Sequence, residues 1–202
     1  MNLLDAMEGI AYVVRHDGLI LGYGRPHWNR FAAENDGAGL LEPEAVVGRN
    51  LFDAIAGPEV RARYRGWIDA VLKNRPGEPA TLTTRCDSPT AKRELRLSIS
   101  RVTDAPAPAV LFQSVVTAVE SRPPLNIYDF EALRRALQAR PDLPVVTLCS
   151  FCQRLRWPPG ARDPARTEWI EAELYYARGG RSEVAVSHGL CEACLDTQDM
   201  AA

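Results

Sequence analysis

Short apolar runs and one long amphipathic pattern alternate along the first 120 residues. Residues 10–16 and 19–24 lie on either side of Asp17-Gly18, a dipeptide that favours a tight hairpin turn because both positions tolerate positive φ. From Pro58 apolar residues recur at helical spacing, which predicts a helix of about four turns with one buried face. Three further β-prone runs follow, at residues 80–86, 93–102 and 109–119.

Two shorter helical segments separate the hairpin from the long helix. Pro26 can begin the first, in which Trp28, Phe31 and Ala32 are spaced for one face. Residues 47–55 predict the second, a short helical connector. The expected order is therefore two strands, several helices and three strands, which indicates a mixed α+β class.

A change of composition after residue 119 predicts a second region. Residues 120–126 contain tandem prolines and are expected to form a linker. An amphipathic helix is predicted over Tyr128–Ala139, with Phe130, Leu133 and Leu137 on one side. We therefore predict a domain over 1–120, a linker and connecting helix over 121–144, and a small module over 145–202.

Inside the small module, Asp163-Pro164 is a plausible start for a helix. That helix is expected to run through Trp169, Ile170, Leu174 and Ala177, and a short strand is expected over Glu183–Val186. A helix and a strand would bring the two ends of the module together.

The two ends of this module each carry a Cys-x-x-Cys pair, Cys149/Cys152 and Cys191/Cys194. One such turn aims two thiolates at a single ion, and two such turns complete a tetrahedral shell. Thiols in a reducing cytoplasm more often hold metal than form structural disulfides. A module of this size also has little core, so we predict a structural zinc site made by these four cysteines.

His188 lies just before the second pair and leaves the ligand set open. It could replace one cysteine, hydrogen-bond a ligand sulfur from outside the first coordination shell, or be a turn histidine held by Gly189. A thiol-exchange centre is the non-metal alternative, and oxidation that expels zinc is a further one.

The composition limits the partners. The chain has 202 residues, 25% of them charged, and a formal charge of −2, so no basic field favours nucleic acid. Arg61, Arg63 and Arg65 are expected on the solvated face of a helix. The start lacks a basic targeting region and the apolar runs are short, so we expect a cytoplasmic protein that does not enter the membrane.

The first domain resembles a PAS sensor domain. The likeness rests on Trp28–Ala32 with Asn35, on Val47–Phe52, and on Arg85–Pro89, in this order. It implies a five-stranded antiparallel sheet with helices that binds a small molecule or a protein in signalling. Leu51 stands where the flavin photosensors of this family carry their reactive cysteine, so covalent flavin chemistry is not expected. Non-covalent flavin stays open, as does haem bound through His16 or His27.

The second region resembles a small zinc-ribbon-like α+β module found behind bacterial PAS and receiver domains. The likeness spans residues 145–196 and includes all four cysteines, the His188-Gly189 step and the Trp169/Glu173/Tyr175 segment. Gln153 and Glu192 depart from the usual lysine and proline, which puts local contacts in doubt rather than the ligands.

Three other groups have two interpretations each. Cys86 is either a redox-sensing thiol or a half-buried turn residue. Aromatic residues in the module could stack on nucleic acid but are expected in its core: Trp157, Trp169, Tyr175 and Tyr176. Cys86 or a His188/Cys191 pair could act as a nucleophile, but neither has a well-placed orienting acid, so we expect no enzyme.

We therefore expect a bacterial signalling protein in which a PAS input domain is coupled to a zinc-stabilised interaction module. Its output would come from a protein partner, with a small molecule in the PAS core and a homodimer as the assembly. A redox sensor that loses zinc on oxidation is the alternative, followed by a thiol enzyme.

Overall fold

The chain, analysed as a computed structural model, is described over residues 3–35, 37–73, 78–161, 163 and 167–197. It divides into two compact units. Unit 1 contains the residues up to Thr83 together with Leu95–Thr117. Unit 2 contains Thr84–Glu94 and Ala118–Thr197. The domain boundaries at 120 and 144 stay a prediction.

A five-stranded sheet forms the first part of the fold, with the order β2-β1-β5-β4-β3. Strand β1 is antiparallel to both β2 and β5. The predicted fold class, mixed α+β with a five-stranded antiparallel sheet, is confirmed. The strands are β1 Ile10–Arg15, β2 Ile20–Tyr23, β3 Ala80–Arg85, β4 Ala91–Val102 and β5 Ala109–Ser121.

The β1–β2 turn forms where Asp17-Gly18 predicts it, although its backbone differs from the expectation. Only Gly18 has positive φ, at 94°. Gly18 N–H donates to Arg15 C=O, and the Arg15 side chain pairs with Asp17 at 2.5 Å. Asp17 does not take the left-handed conformation, so of the two turn residues Gly18 alone supplies the positive φ.

Between β2 and β3 the described residues form three α-helices: α1 Arg25–Glu34, α2 Leu51–Ala54 and α3 Pro58–Lys73. Helix α3 buries Val60, Trp67, Ile68 and Val71, as its periodicity predicts. The predicted connector over 47–55 is shorter, because Asn50 caps α2 by accepting from Phe52 N–H at 2.9 Å. Arg65 is exposed, as expected for a solvated face, whereas Arg61 and Arg63 are half-buried.

The core of unit 1 is rich in aromatic rings. Tyr12 stacks on Phe112 with centroids 5.2 Å apart and planes 7° apart. Trp28 and Tyr12 form a T-shaped pair with ring centroids 5.9 Å apart. On β4 the alternate residues Leu95, Leu97 and Ile99 are buried, as the alternation of apolar and polar residues predicts.

Unit 2 contains a four-stranded sheet with the order β8-β7-β6-β9. Strands β6 and β9 are parallel, whereas β7 is antiparallel to β6 and β8. The strands are β6 Val145–Cys149, β7 Leu155–Trp157, β8 Glu168–Ile170 and β9 Ala185–Gly189. The helices are α4 Phe130–Ala139, α5 Ala172–Ala177 and α6 Glu192–Thr197.

The helix predicted through Trp169 and Ile170 is wrong in its first half. These residues form β8, in which Ile170 pairs with Leu155, and helix α5 begins only at Ala172. Pro164, which was expected to start the helix, lies outside the described residues. Strand β9 begins at Ala185 instead of Glu183 because its pairing with β6 sets its length.

The segment predicted as a linker is partly regular. Strand β5 continues through Ser121, and a 3-10 turn forms over Asn126–Tyr128. Asp129 caps α4 by accepting from Ala132 N–H at 2.9 Å. Of the predicted apolar stripe of α4 only Leu133 is buried, since Phe130 and Leu137 are 41% and 39% exposed.

The core of unit 2 is formed by residues of its sheet together with residues of the 3-10 turn Asn126–Tyr128, α4 and α5. The buried members of this core are Ile127, Tyr128, Leu133, Val146, Leu148, Leu155, Ile170, Ala172, Tyr175 and Val184.

No helix in the described ranges has the length and apolar character needed to cross a membrane.

Candidate metal centre

The first cysteine pair occupies the turn between β6 and β7. Cys149 is the last residue of β6, and Leu148 pairs with Leu155 across the turn. Cys149 N–H donates to Arg154 C=O at 2.8 Å, and Gln153 N–H donates to Cys149 C=O at 3.0 Å. Gln153 closes this turn with φ of 60°, a left-handed backbone that non-glycine residues adopt rarely.

The second cysteine pair follows the neighbouring strand. Cys149 in β6 lies opposite Gly189 in the parallel strand β9. Ser150 N–H donates to Gly189 C=O at 3.0 Å, which holds the first turn beside the end of β9. Cys191 follows two residues later, and Cys194 lies in α6. The parallel register therefore brings the two pairs to one edge of the sheet.

The four sulfur atoms converge on one point. All of them lie within 4.8 Å of one another, and the Sγ atoms of Cys152 and Cys191 are 3.7 Å apart. Bonds of about 2.3 Å from sulfur to a tetrahedral zinc ion place neighbouring sulfurs ~3.8 Å apart. The cluster therefore has the size of a closed four-thiolate site and could bind a metal.

Backbone amides point at two of these sulfurs. Cys191 N–H donates to Cys149 Sγ, and Cys194 N–H donates to Cys191 Sγ, both at 3.4 Å. Such bonds favour the thiolate form, which is the form that binds metal. Cys149, Cys191 and Cys194 are buried, and Cys152 is half-buried.

The close approach of the four thiols shifts their pKa values in different directions. Hydrogen bonds from Cys152 and Cys194 hold the pKa of Cys149 far below its usual range. Cys194 forms hydrogen bonds to Cys149 and to Cys152, and these raise the pKa of Cys194. Burial adds to that shift. Several thiolates in this volume need a cation to offset their mutual repulsion.

His188 lies on β9 instead of in a turn, which corrects one of its predicted positions. It pairs with Leu148 in the parallel ladder, and its ring is 6.1 Å from that of Phe130. Burial lowers the pKa of His188, so its neutral form is favoured. Across the described residues, the group with metal-ligand spacing comprises the four cysteines and does not include His188. A supporting role for His188 stays a prediction.

An ion-pair network that the sequence did not reveal lies within the same unit and is buried at Asp87 and Arg122. Asp87 accepts from Arg85 at 2.5 Å and from Arg122 at 3.0 Å. The Arg85 guanidinium also pairs with Glu171 at 2.8 Å, and Glu171 pairs with Arg154 at 3.1 Å. Arg85 and Asp87 are two residues apart, but the other partners are 17 to 86 residues apart in the chain, so no local pattern marks those pairs.

The other residues of unit 2 singled out from the sequence are Cys86 and four aromatic residues of the module. Cys86 is half-buried, its N–H donates to Arg93 C=O at 3.0 Å, and burial raises the pKa of its thiol. Tyr175 is buried, with Trp157 and Tyr176 packed against the same core. These three aromatic residues therefore fill the core, as expected, whereas Trp169 is only half-buried.

The candidate cofactor residues of unit 1 belong to different elements of the fold. His16 borders an open, polar cavity of about 230 Å³ that is also lined by Asp17, Asp53 and Asp69. His27 is half-buried in the first turn of α1. Leu51 is buried at the start of α2. His27 and Leu51 are not among the residues that line the cavity beside His16.

Comparison with known proteins gives structural similarity only. Neither the known family models nor the curated proteins match this chain. The PAS domain of BvgS from Bordetella pertussis is 13% identical, with 70% of this chain and 93% of that chain covered and a TM-score of 0.43.

Two further solved structures are similar over about half of the chain. The PAS domain of the quorum-sensing receptor RpfR from Cronobacter turicensis, solved in complex with C12:0, is 13% identical over 55% of this chain and 96% of that chain, with a TM-score of 0.36. A sensory box sensor histidine kinase from Vibrio cholerae is 16% identical over 58% and 88%, with a TM-score of 0.37. The strand order described above, and not these similarities, identifies the fold.

Proposed function

We propose that this protein is a cytoplasmic bacterial signalling protein, in which a PAS-like input domain is coupled to a zinc-stabilised module that binds a protein partner. The observation that supports it most is the convergence of four cysteine sulfurs within 4.8 Å in unit 2. The module stabilises a binding surface and has no catalytic role of its own.

Zinc is the metal that this donor set fits best. Four thiolates match its preference for soft, tetrahedral coordination, and zinc adds no redox chemistry. All four positions are taken by sulfur, so water has no open position at the ion. Cys149, Cys152, Cys191 and Cys194 would therefore stabilise the fold and would not activate a nucleophile.

The signal would pass through the segment 120–140. In this proposal a small molecule in unit 1 binds one conformation of a homodimer more tightly and shifts the population toward it. Helix α4 lies in this segment and packs against β9, the strand that leads to the second cysteine pair. The partner protein would read the resulting change in unit 2.

Native mass spectrometry of freshly purified protein tests the proposal. The spectrum should show one zinc ion per chain, a dimer, and any retained small molecule as a discrete added mass. Hydrogen exchange over residues 120–140 should then change when that molecule is added back. Protein that carries no zinc would contradict the proposed zinc site. Hydrogen exchange over residues 120–140 that does not change on addition of the small molecule would contradict the proposed signalling path.

A redox sensor is the second candidate, and the geometry of Cys152 favours it. Cys152 is the least buried of the four cysteines, and its sulfur is 3.7 Å from that of Cys191. Two thiolates can give two electrons to hydrogen peroxide, which takes up two protons and leaves as two waters while a disulfide forms and zinc is released. Zinc release by stoichiometric peroxide, reversed by dithiothreitol and added zinc, would support this candidate.

A further inference from the structure

The first cysteine turn is held by residues from outside the cysteine-bearing strands. The C=O of Phe151, inside the turn, accepts from Arg85 N–H at 2.7 Å and from the Thr84 hydroxyl at 3.0 Å. Phe151 is 3% exposed, so this carbonyl has little access to water. Both donors belong to Thr84–Glu94, the part of unit 2 that we call the hairpin tip.

A second carbonyl of the same turn is held from the segment before α4. The Tyr128 hydroxyl donates to Gln153 C=O at 2.8 Å. Gln153 directly follows Cys152 and has the left-handed φ of 60°. Tyr128 and Gln153 are 3% and 8% exposed, so this hydrogen bond is made away from solvent.

The two contacts are joined by the buried ion pair. The Arg122 guanidinium lies 4.3 Å from the centroid of the Tyr128 ring, and it pairs with Asp87 at 3.0 Å. Asp87 in turn pairs with Arg85, whose backbone N–H holds Phe151 C=O. One continuous set of contacts therefore links both carbonyls of the cysteine turn to the hairpin tip.

We propose that Thr84, Arg85 and Tyr128 are positioning residues of the metal centre, and that metal binding and the order of the hairpin tip are thermodynamically coupled. This inference rests on the proposed zinc site. A ligand turn that is already held in its metal-bound shape loses less conformational freedom on binding. By linkage, the metal must then stabilise the same contacts by the same factor.

Zinc affinity of the full chain tests the positioning role, measured by competition with a chromophoric chelator. Tyr128→Phe removes one hydroxyl and leaves the ring under Arg122. We expect it to weaken zinc binding by about tenfold, the lower end of what loss of an outer-shell contact costs. Tyr175→Phe is the matched control, because its buried hydroxyl donates to a different carbonyl, that of Arg181, at 3.0 Å.

The two tyrosine variants separate positioning from general loss of stability. If Tyr128→Phe weakens zinc binding and Tyr175→Phe does not, at similar unfolding midpoints of the metal-free proteins, the positioning role is supported. If both variants bind zinc as tightly as wild type, or lose affinity equally, that role is overturned while the zinc site stands. Wild-type protein that binds no zinc overturns the proposed metal centre itself, and this inference with it.

Hydrogen exchange tests the coupling in the opposite direction. When a chelator removes zinc, the amide of Arg85 should exchange at least tenfold faster, because its acceptor lies inside the cysteine turn. The amide of Ile127, which donates to the Tyr176 hydroxyl at 3.0 Å, serves as the control in the same unit. Unchanged exchange at Arg85, or an equal rise at Ile127, would contradict the coupling.

Discussion

Asp87 and Arg122 form an ion pair at 3.0 Å in which the two side chains are 0% and 5% exposed. Each charge is removed from water and needs compensation by an opposite charge. Asp87 receives it from Arg85 as well as Arg122, and Arg122 has a more distant second partner in Glu173 at 3.5 Å. The Arg122 side chain also donates to Ser88 C=O at 2.8 Å. This pair is therefore the electrostatic centre of unit 2, although neither residue belongs to the cysteine motif.

Asp87→Asn should lower the free energy of unfolding by about 3–5 kcal/mol, because it removes the carboxylate charge shared by Arg85 and the buried Arg122, whose other acidic partner is the more distant Glu173 at 3.5 Å. Urea unfolding followed by circular dichroism measures this change. Glu131→Gln is the control, since it breaks the exposed pair with Arg135 on α4 and should cost less than about 1 kcal/mol. Equal costs in the two variants would show that burial of the Asp87 pair has no energetic consequence.

Glu171 predicts a dependence of stability on pH. Burial raises the pKa of Glu171, but the hydrogen bonds and charge of Arg85, together with Arg154 and Lys92, outweigh it and hold the pKa below its ordinary value of 4.5. A depressed carboxyl pKa contributes stability above the unfolded value, and that contribution is lost as the pH falls through the folded value.

Comparison with Glu171→Gln isolates this contribution. The wild type should be more stable than the variant by a constant amount above about pH 6, and the difference should shrink below about pH 4.5. Both proteins keep the same cysteines, so the acid sensitivity of the metal site cancels in the difference. A stability difference between the two proteins that grows toward acid pH would contradict a lowered pKa of Glu171.

Alkylation should distinguish the five cysteines. We expect little labelling of the zinc-loaded protein by iodoacetamide, since metal occupies four thiols and burial raises the pKa of Cys86. After chelation Cys152 should react first, because it is half-buried while the other three ligands are buried. Peptide mapping by mass spectrometry reads the order. Early labelling of Cys86 in the loaded protein would instead support its role as a reactive thiol.

Leu148 and Leu137 should differ sharply when replaced by alanine. Leu148 is 0% exposed in the core of unit 2, and its loss should cost about 2–5 kcal/mol of unfolding free energy. Leu137 is 39% exposed on α4, and its replacement should cost less than about 1 kcal/mol. Chemical denaturation of both variants checks the pair. A large loss at Leu137 would mean that this face of α4 is covered in solution.

Local sequence patterns predict those elements that are formed by residues close in the chain, and those that bury one face along their whole length. The stripe on α3 identifies Val60, Trp67, Ile68 and Val71 as core because a long helix must bury one face. The Cys-x-x-Cys spacing indicates a ligand set because each pair is made locally, by one turn of backbone.

Pairing between distant segments decides what local patterns leave open. Trp169 and Ile170 fit a helix by spacing, yet antiparallel pairing with Arg156 and Leu155 makes them a strand. His188 is set in β9 by its parallel register with β6, which no turn preference near Gly189 could reveal. The ion pair of Asp87 with Arg122 likewise depends on packing between segments 35 residues apart.

Zinc content of single variants is the most direct test of the four-cysteine site. Serine should replace Cys149, Cys152, Cys191 and Cys194 one at a time, with His188→Ala and Cys86→Ser as matched controls. We expect one zinc per chain in wild type and both controls, and a strongly reduced content in each of the four cysteine variants. Full zinc in any of those four, or complete loss in His188→Ala, would contradict the assignment.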